Sequence, residues 1–188
     1  MIQRIQSLWL ALAVICIGLC FFLPVANYQY ADKPGQGQRV ESQFGLVSKE
    51  VPDLHSQLAS GEPVVVCKPM VDKMPTWPLV TLALVAAVLG LASIFLFKNR
   101  RLQMRLATLG FMATLVYVFM LFFWAVDKYA DVLSNDGMLK SFLADAKPEV
   151  SWGAGAFIPM AALVFFFLAQ RAIRKDEALV RAADRLRG

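Results

Sequence analysis

The chain has 188 residues, 58% of them hydrophobic and only 18% charged, which lies well to the apolar side of globular averages. The formal net charge of +5 does not indicate a nucleic-acid partner, because the basic residues flank apolar segments instead of forming a stripe on one folded face. Apolar segments take up about half of the length, leaving room for a single membrane domain over 1–188 and none for a separate soluble enzyme domain.

The first segment, 6–26, lies between Arg4 and Asp32 and contains no ionised side chain. Its apolar run is longer than that of a secretory signal, and Pro24 sits where cleavage after Ala26 would need a small residue, so it reads as a permanent anchor. Cys16 and Cys20, four apart on one helical face, read as small packing residues. Residues 27–75 follow as a first outer loop. Pro34, Gly35 and Gly37 supply turns there, and Val40, Ser42, Phe44, Leu46 and Ser48 alternate as a strand would. Pro63–Cys67 reads as a second short strand, so the loop is expected to carry a small sheet. Cys67 is expected to be unpaired, and His55, the one histidine, has no cysteine at ligand spacing, so no metal is expected.

The second span, 76–97, opens on Trp77 and carries a face of small residues at Ala83, Ala86, Ala87 and Gly90, suited to close helix approach. A basic inner loop, 98–105, then forces the second and third spans to be antiparallel neighbours. The third span, 106–126, has Gly110 and Thr114 as its small positions and Trp124 at its outer end. Residues 127–150 form the second outer loop, with a turn at Asn135-Asp136-Gly137. Met138, Leu139, Phe142 and Leu143 recur there at the spacing of a short interfacial helix. Tyr28, Tyr30 and Tyr129 are expected to extend the outer aromatic belt of Trp77, Trp124 and Trp152, with Trp9 near the inner boundary. The fourth span, 151–170, offers Gly153, Gly155, Ala161 and Ala162 as small contacts, and Pro159 should bend it. The tail, 171–188, reads as a cytoplasmic extension of the same helix. Ile173, Leu179, Val180, Ala183 and Leu186 line one side, and Glu177–Arg181 forms an i,i+4 pair.

The expected fold is therefore all-α: a bundle of four transmembrane helices with a small β-containing first outer loop. If the spans alternate, one side carries eleven basic residues with Asp176, Glu177 and Asp184, net +8. The other carries eight basic residues with eleven acids, net −3. Lys and Arg are retained on the cytoplasmic side, so both termini and the inner loop are expected inside. No span holds Asp, Glu, Lys, Arg or His, the usual marks of ion and proton paths. Gly-rich phosphate loops, HExxH and nucleophile elbows are also missing. No catalytic, cofactor-binding or metal-binding residue is expected, and no small-molecule substrate. Thr81, Ser93, Thr108, Thr114 and Tyr117, the polar groups at depth, are expected to form hydrogen bonds between helices.

The opening Met1–Leu8, the inner loop Phe97–Arg105 and the tail Arg171–Arg187 resemble domain-of-unknown-function family 4293. The resemblance covers essentially the whole chain. It implies a four-span protein of the bacterial inner membrane with no assigned activity, so it supplies no catalytic residues. The most informative surface is then the tail, where Arg171, Arg174, Lys175, Leu179, Val180, Arg181 and Leu186 are the expected contacts for a partner or for lipid. Beyond membrane lipids, the expected partner is another membrane protein or a second copy. The expected role is an accessory or assembly subunit of a larger complex; the alternative is a self-associating four-helix scaffold or pore-like protein.

Overall fold

The structure is a computed structural model, and it describes residues 2–31, 39–46, 76–96, 99–135 and 149–187. The expected strand at Pro63–Cys67, the interfacial helix around Met138–Leu143, and His55 and Cys67 lie outside these residues. In chain order the elements are helix α1 (Ile2–Leu19), strands β1 (Ala26–Ala31) and β2 (Arg39–Phe44), and helices α2 (Trp77–Phe95) and α3 (Arg100–Met120). A π-helical turn (Leu121–Ala125), helix α4 (Val126–Ser134), strand β3 (Glu149–Trp152) and helix α5 (Ala154–Arg187) complete the chain. Because α3, the π turn and α4 are continuous, the described residues form four helices.

Among the described residues, three stretches are long and apolar enough to cross a membrane: Trp77–Phe95, Arg100–Val132 and Ala154–Ala182. The first apolar helix, Ile5–Leu19, is shorter. The first segment was expected to remain helical to 26, but α1 ends at Leu19. Pro24 disfavours helical geometry at the residue before it, and Val25 already donates its N–H to Phe44 O at 2.8 Å, so the apolar residues after Leu19 form a turn and an approach to the sheet. The third helix departs in the opposite sense. It begins at Arg100, inside the expected inner loop, and runs to Ser134, inside the expected outer loop. Charged residues such as Arg100 and Asp127 limit where lipid can surround a helix, but not where the helix itself stops.

The described chain gathers into two compact units. The first comprises Met1–Leu19, Val80–Val118 and Ile158–Gly188, which draws on all four helices. At its centre Phe166 of α5 is fully buried between two glycines, Gly90 of α2 and Gly110 of α3. A Cβ on Gly110 would lie 3.0 Å from the ring, and one on Gly90 would lie 3.3 Å from it and 2.6 Å from Val14 Cγ2 of α1. The small-residue faces therefore meet a large side chain, which is how glycine lets helices approach closely. Ala83 and Ala86 are buried as expected, and so is Ala162, but Ala161 is exposed. Trp9 stacks on Phe165 with ring centroids 5.9 Å apart.

Two of the polar groups at depth behave differently from expectation. Thr108 and Thr114 donate to Met104 O and Gly110 O, each four residues back in their own helix at 2.8 Å. Two buried amides that were not singled out, Gln170 and Gln6, do bond between helices. Gln170 Nε2 donates to Ala107 O at 3.4 Å, and Gln6 Nε2 donates to Ala172 O at 3.3 Å. These bonds hold α5 antiparallel to both α3 and α1.

The second unit, Cys20–Leu79 and Phe119–Phe157, holds an antiparallel sheet in the order β2-β1-β3. The alternating stretch at Val40 does form a strand, and Tyr28 pairs with Ser42 on one side and Val150 on the other. Strand β3 takes the last two residues of the expected second outer loop and Ser151 and Trp152, expected to open the fourth span. Tyr28 is fully buried, donates its hydroxyl to Val126 O at 2.8 Å, and lies against Tyr129 with centroids 4.9 Å apart. Phe44 meets the same Tyr129 ring at 4.9 Å. Tyr28 and Tyr129 are thus core residues under a sheet and not members of an exposed aromatic belt.

Along the third helix the buried positions Gln103, Ala107, Gly110, Thr114, Tyr117 and Leu121 alternate by four and three. The same rhythm would next bury Trp124 and Lys128. The π turn inserts one residue, so Ala125 and Tyr129 are buried and Lys128 stays exposed. At the strand-to-helix corner, Gly153 and Gly155 donate their N–H groups to Val25 O at 2.8 Å and Pro24 O at 3.0 Å. They serve a backbone-to-backbone corner and not the helix-to-helix contact their small size suggests.

Candidate functional site

The tail is helical to Arg187 and continuous with the apolar part of α5, as its composition predicts. Pro159 lies inside the same helix, buried, without ending it. Positions Phe166, Ala169, Ile173 and Asp176 recur at three, four and three residues, and all are buried. Ile173 belongs to this stripe and not to the exposed side of the tail. Val180, the next position in the rhythm, is 39% exposed, and its neighbour Leu179 is 49% exposed. Arg171, Arg174, Lys175 and Arg181 are all exposed, and the side chain of Leu186 lies outside the described residues. Arg181 pairs with Glu177 across one turn, as its spacing predicts.

The structure brings the tail together with a second set of groups. The hairpin into α3 places Asn99, Arg100, Arg101, Leu102 and Arg105 beside Glu177, Val180 and Arg181, around an open groove of about 650 Å³. Arg100 and Asp176 tie its two walls, with Nη1 and Oδ2 3.3 Å apart and side chains 32% and 13% exposed. An exposed pair would contribute about 1 kcal/mol or less, and removing one member of a buried pair costs more because a charge is left unpaired. This pair lies between the two limits. It acts mainly by setting the register of tail and hairpin. Among the described residues, Arg101 and Arg105 have no carboxylate within ion-pair distance, and both are exposed.

Asp176 was not singled out from the sequence, yet a signal existed. It stands seven residues after Ala169 and three after Ile173, in phase with the buried stripe, and a carboxylate at such a position needs a cation opposite it. The basic hairpin reads as a topology signal, and nothing in its own spacing points to the tail as the surface it faces. No cluster of three metal-ligating side chains is found among the described residues.

The amino-acid sequence matches the family model described as "Domain of unknown function (DUF4293)" over residues 2–186. No curated protein matches it. A match spanning all four helices, the sheet and nearly the whole tail is more than a shared apolar segment would produce, and the chain belongs to this family.

Proposed function

We propose that the chain is a non-enzymatic, four-span protein of the bacterial inner membrane, with both termini cytoplasmic. It acts as an accessory or assembly subunit, and its cytoplasmic tail docks on a larger membrane complex. The observation that carries this reading is the buried stripe of α5, which continues past its internal contacts to Val180, exposed beside Leu179. A stripe with three-four spacing is the seam one helix offers another, and at Val180 it runs on, exposed, along the edge of the hairpin. Three helices long and apolar enough to cross a membrane support the location. The basic hairpin and tail support the orientation. The first helix, 18 residues or about 27 Å long, would complete the crossing with the short turn that follows it.

The test is purification of the full chain in mild detergent and comparison of its co-purifying proteins with those of a Leu179→Ser, Val180→Ser variant. The variant should insert normally and lose a defined set of partners. Retention of the same set would refute docking through this seam.

A further inference from the structure

We propose that the groove between the start of α3 and the tail holds the phosphate of an anionic lipid headgroup, with Arg101 and Arg105 as its ligands and Arg181 at its side. This rests on the chain lying in a membrane; Val180 borders both the groove and the docking seam, whereas Leu179 does not line the groove and separates the two readings.

The charge count comes first. Four guanidinium groups, on Arg100, Arg101, Arg105 and Arg181, line the groove, whereas Asp176 and Glu177 supply two carboxylates. Both carboxylates are already engaged, by Arg100 and Arg181. Among the described residues the uncompensated charge therefore sits on Arg101 and Arg105, one helical turn apart on α3. Arg100 Nη1 is buried and, although it faces Asp176, makes no hydrogen bond of good geometry among the described residues. Planar guanidinium forks match phosphate oxygens in paired hydrogen bonds, which makes a phosphate the fitting ligand class.

The groove also lies at the right level. Arg105 and Arg171 are the first charges beyond the apolar parts of α3 and α5, and the Gln170–Ala107 and Arg100–Asp176 contacts keep these two ends in register. From Arg171 to Glu177 the helix rises about 9 Å, and the headgroup layer of one leaflet is about 5–8 Å thick. The groove thus opens onto the headgroup layer and its border with the cytoplasm.

A lipid is favoured over a soluble phosphate by what adjoins the arginines. Leu102 lines the groove, and Leu109, Met112 and Val116 follow Arg105 up the same helix at spacings of four, three and four, all exposed. An exposed apolar track leading away from an unpaired cation is complementary to an acyl chain joined to a phosphate.

The experiment is native mass spectrometry of the full chain in mild detergent, titrated with phosphatidylglycerol or phosphatidylcholine. Wild type should take up one phosphatidylglycerol in strong preference to phosphatidylcholine. Arg101→Gln with Arg105→Gln should weaken that binding roughly thirtyfold, from roughly fivefold per arginine at an anionic surface. Arg171→Gln with Arg174→Gln removes the same charge at two exposed positions that do not line the groove, so a general loss of surface charge would weaken binding equally in both double variants, whereas a phosphate seated in the groove should be weakened far less by this one. Equal uptake of the two lipids by wild type would overturn the proposal even if the variants misfold, and so would equal weakening in both double variants. Displacement of the bound lipid by millimolar inorganic phosphate would overturn the lipid source. Leu179→Ser should keep the lipid while shedding protein partners, so the two readings can fail separately.

Discussion

Gly90 is where the packing of the first unit can be tested most directly. An alanine there would place its Cβ 2.6 Å from Val14 Cγ2 and 3.3 Å from Phe166 Cζ, whereas carbon atoms in contact sit about 3.5–4.0 Å apart. The overlap with Val14 is about 1 Å, and a β-branched side chain in a helix has essentially one χ1 well, so Val14 cannot swing aside. Alanine in place of glycine favours the helix by up to about 1 kcal/mol, and overpacking costs about 1–3 kcal/mol. The expected net effect of Gly90→Ala is destabilisation by about 1–2 kcal/mol, read as a shift in denaturant-induced unfolding of the detergent-solubilised protein. Val14→Ala removes the colliding methyl group. The double variant should therefore be less destabilised than the sum of the two singles by about 1–2 kcal/mol. Gly90→Leu adds three further carbons and should lead to aggregation on mild heating. A Gly90→Ala protein as stable as wild type, or a strictly additive double variant, would mean that α1 and α2 do not meet at this level.

Two further outcomes concern the second unit, with Gly18 of the first unit as a control. Gly155→Ala places a Cβ 2.7 Å from Pro24 O and 2.8 Å from Leu23 O, both backbone atoms that no rotamer change can move. It should cost about 2–3 kcal/mol, more than Gly90→Ala, whereas Gly18→Ala, with nothing within 4 Å of its added carbon, should be neutral or slightly stabilising in the same titration. Tyr28→Phe deletes the buried hydroxyl that donates to Val126 O and should destabilise by about 1 kcal/mol, and an unchanged unfolding curve would show the bond to be absent.

Most of the helical architecture was legible because apolar length and small-residue spacing are local properties. Ala83, Ala86, Gly90 and Gly110 lie on buried faces as their spacing implies, and the tail is helical as its pattern implies. What escaped was settled by distant pairing. An uncharged run such as Cys20–Val25 is equally compatible with helix, turn or strand approach, and the N–H of Val25 is claimed by Phe44 far along the chain. Glu149–Trp152 became a strand because β1 offered it an edge. The exchange of Trp124 and Lys128 for Ala125 and Tyr129 at the π turn could not be read either, since an inserted residue leaves no mark in composition.

The site shows the same division at smaller scale. Exposure of Arg171, Arg174, Lys175 and Arg181, and the pairing of Arg181 with Glu177, follow from helical spacing alone. The part that makes a site of them does not. Asp176 reaches across to Arg100 and fixes the tail beside the hairpin, and only then do Arg101 and Arg105 become two groove cations with no carboxylate at ion-pair distance among the described residues. Those cations read simply as a topology signal while the hairpin is considered by itself, because nearness to the membrane end is enough to explain them. Topology requires only that the charge be present. A groove requires that it be held, and the Arg100–Asp176 pair is the contact that holds it, so the charge read as a topology signal is the same charge that we propose receives an anion.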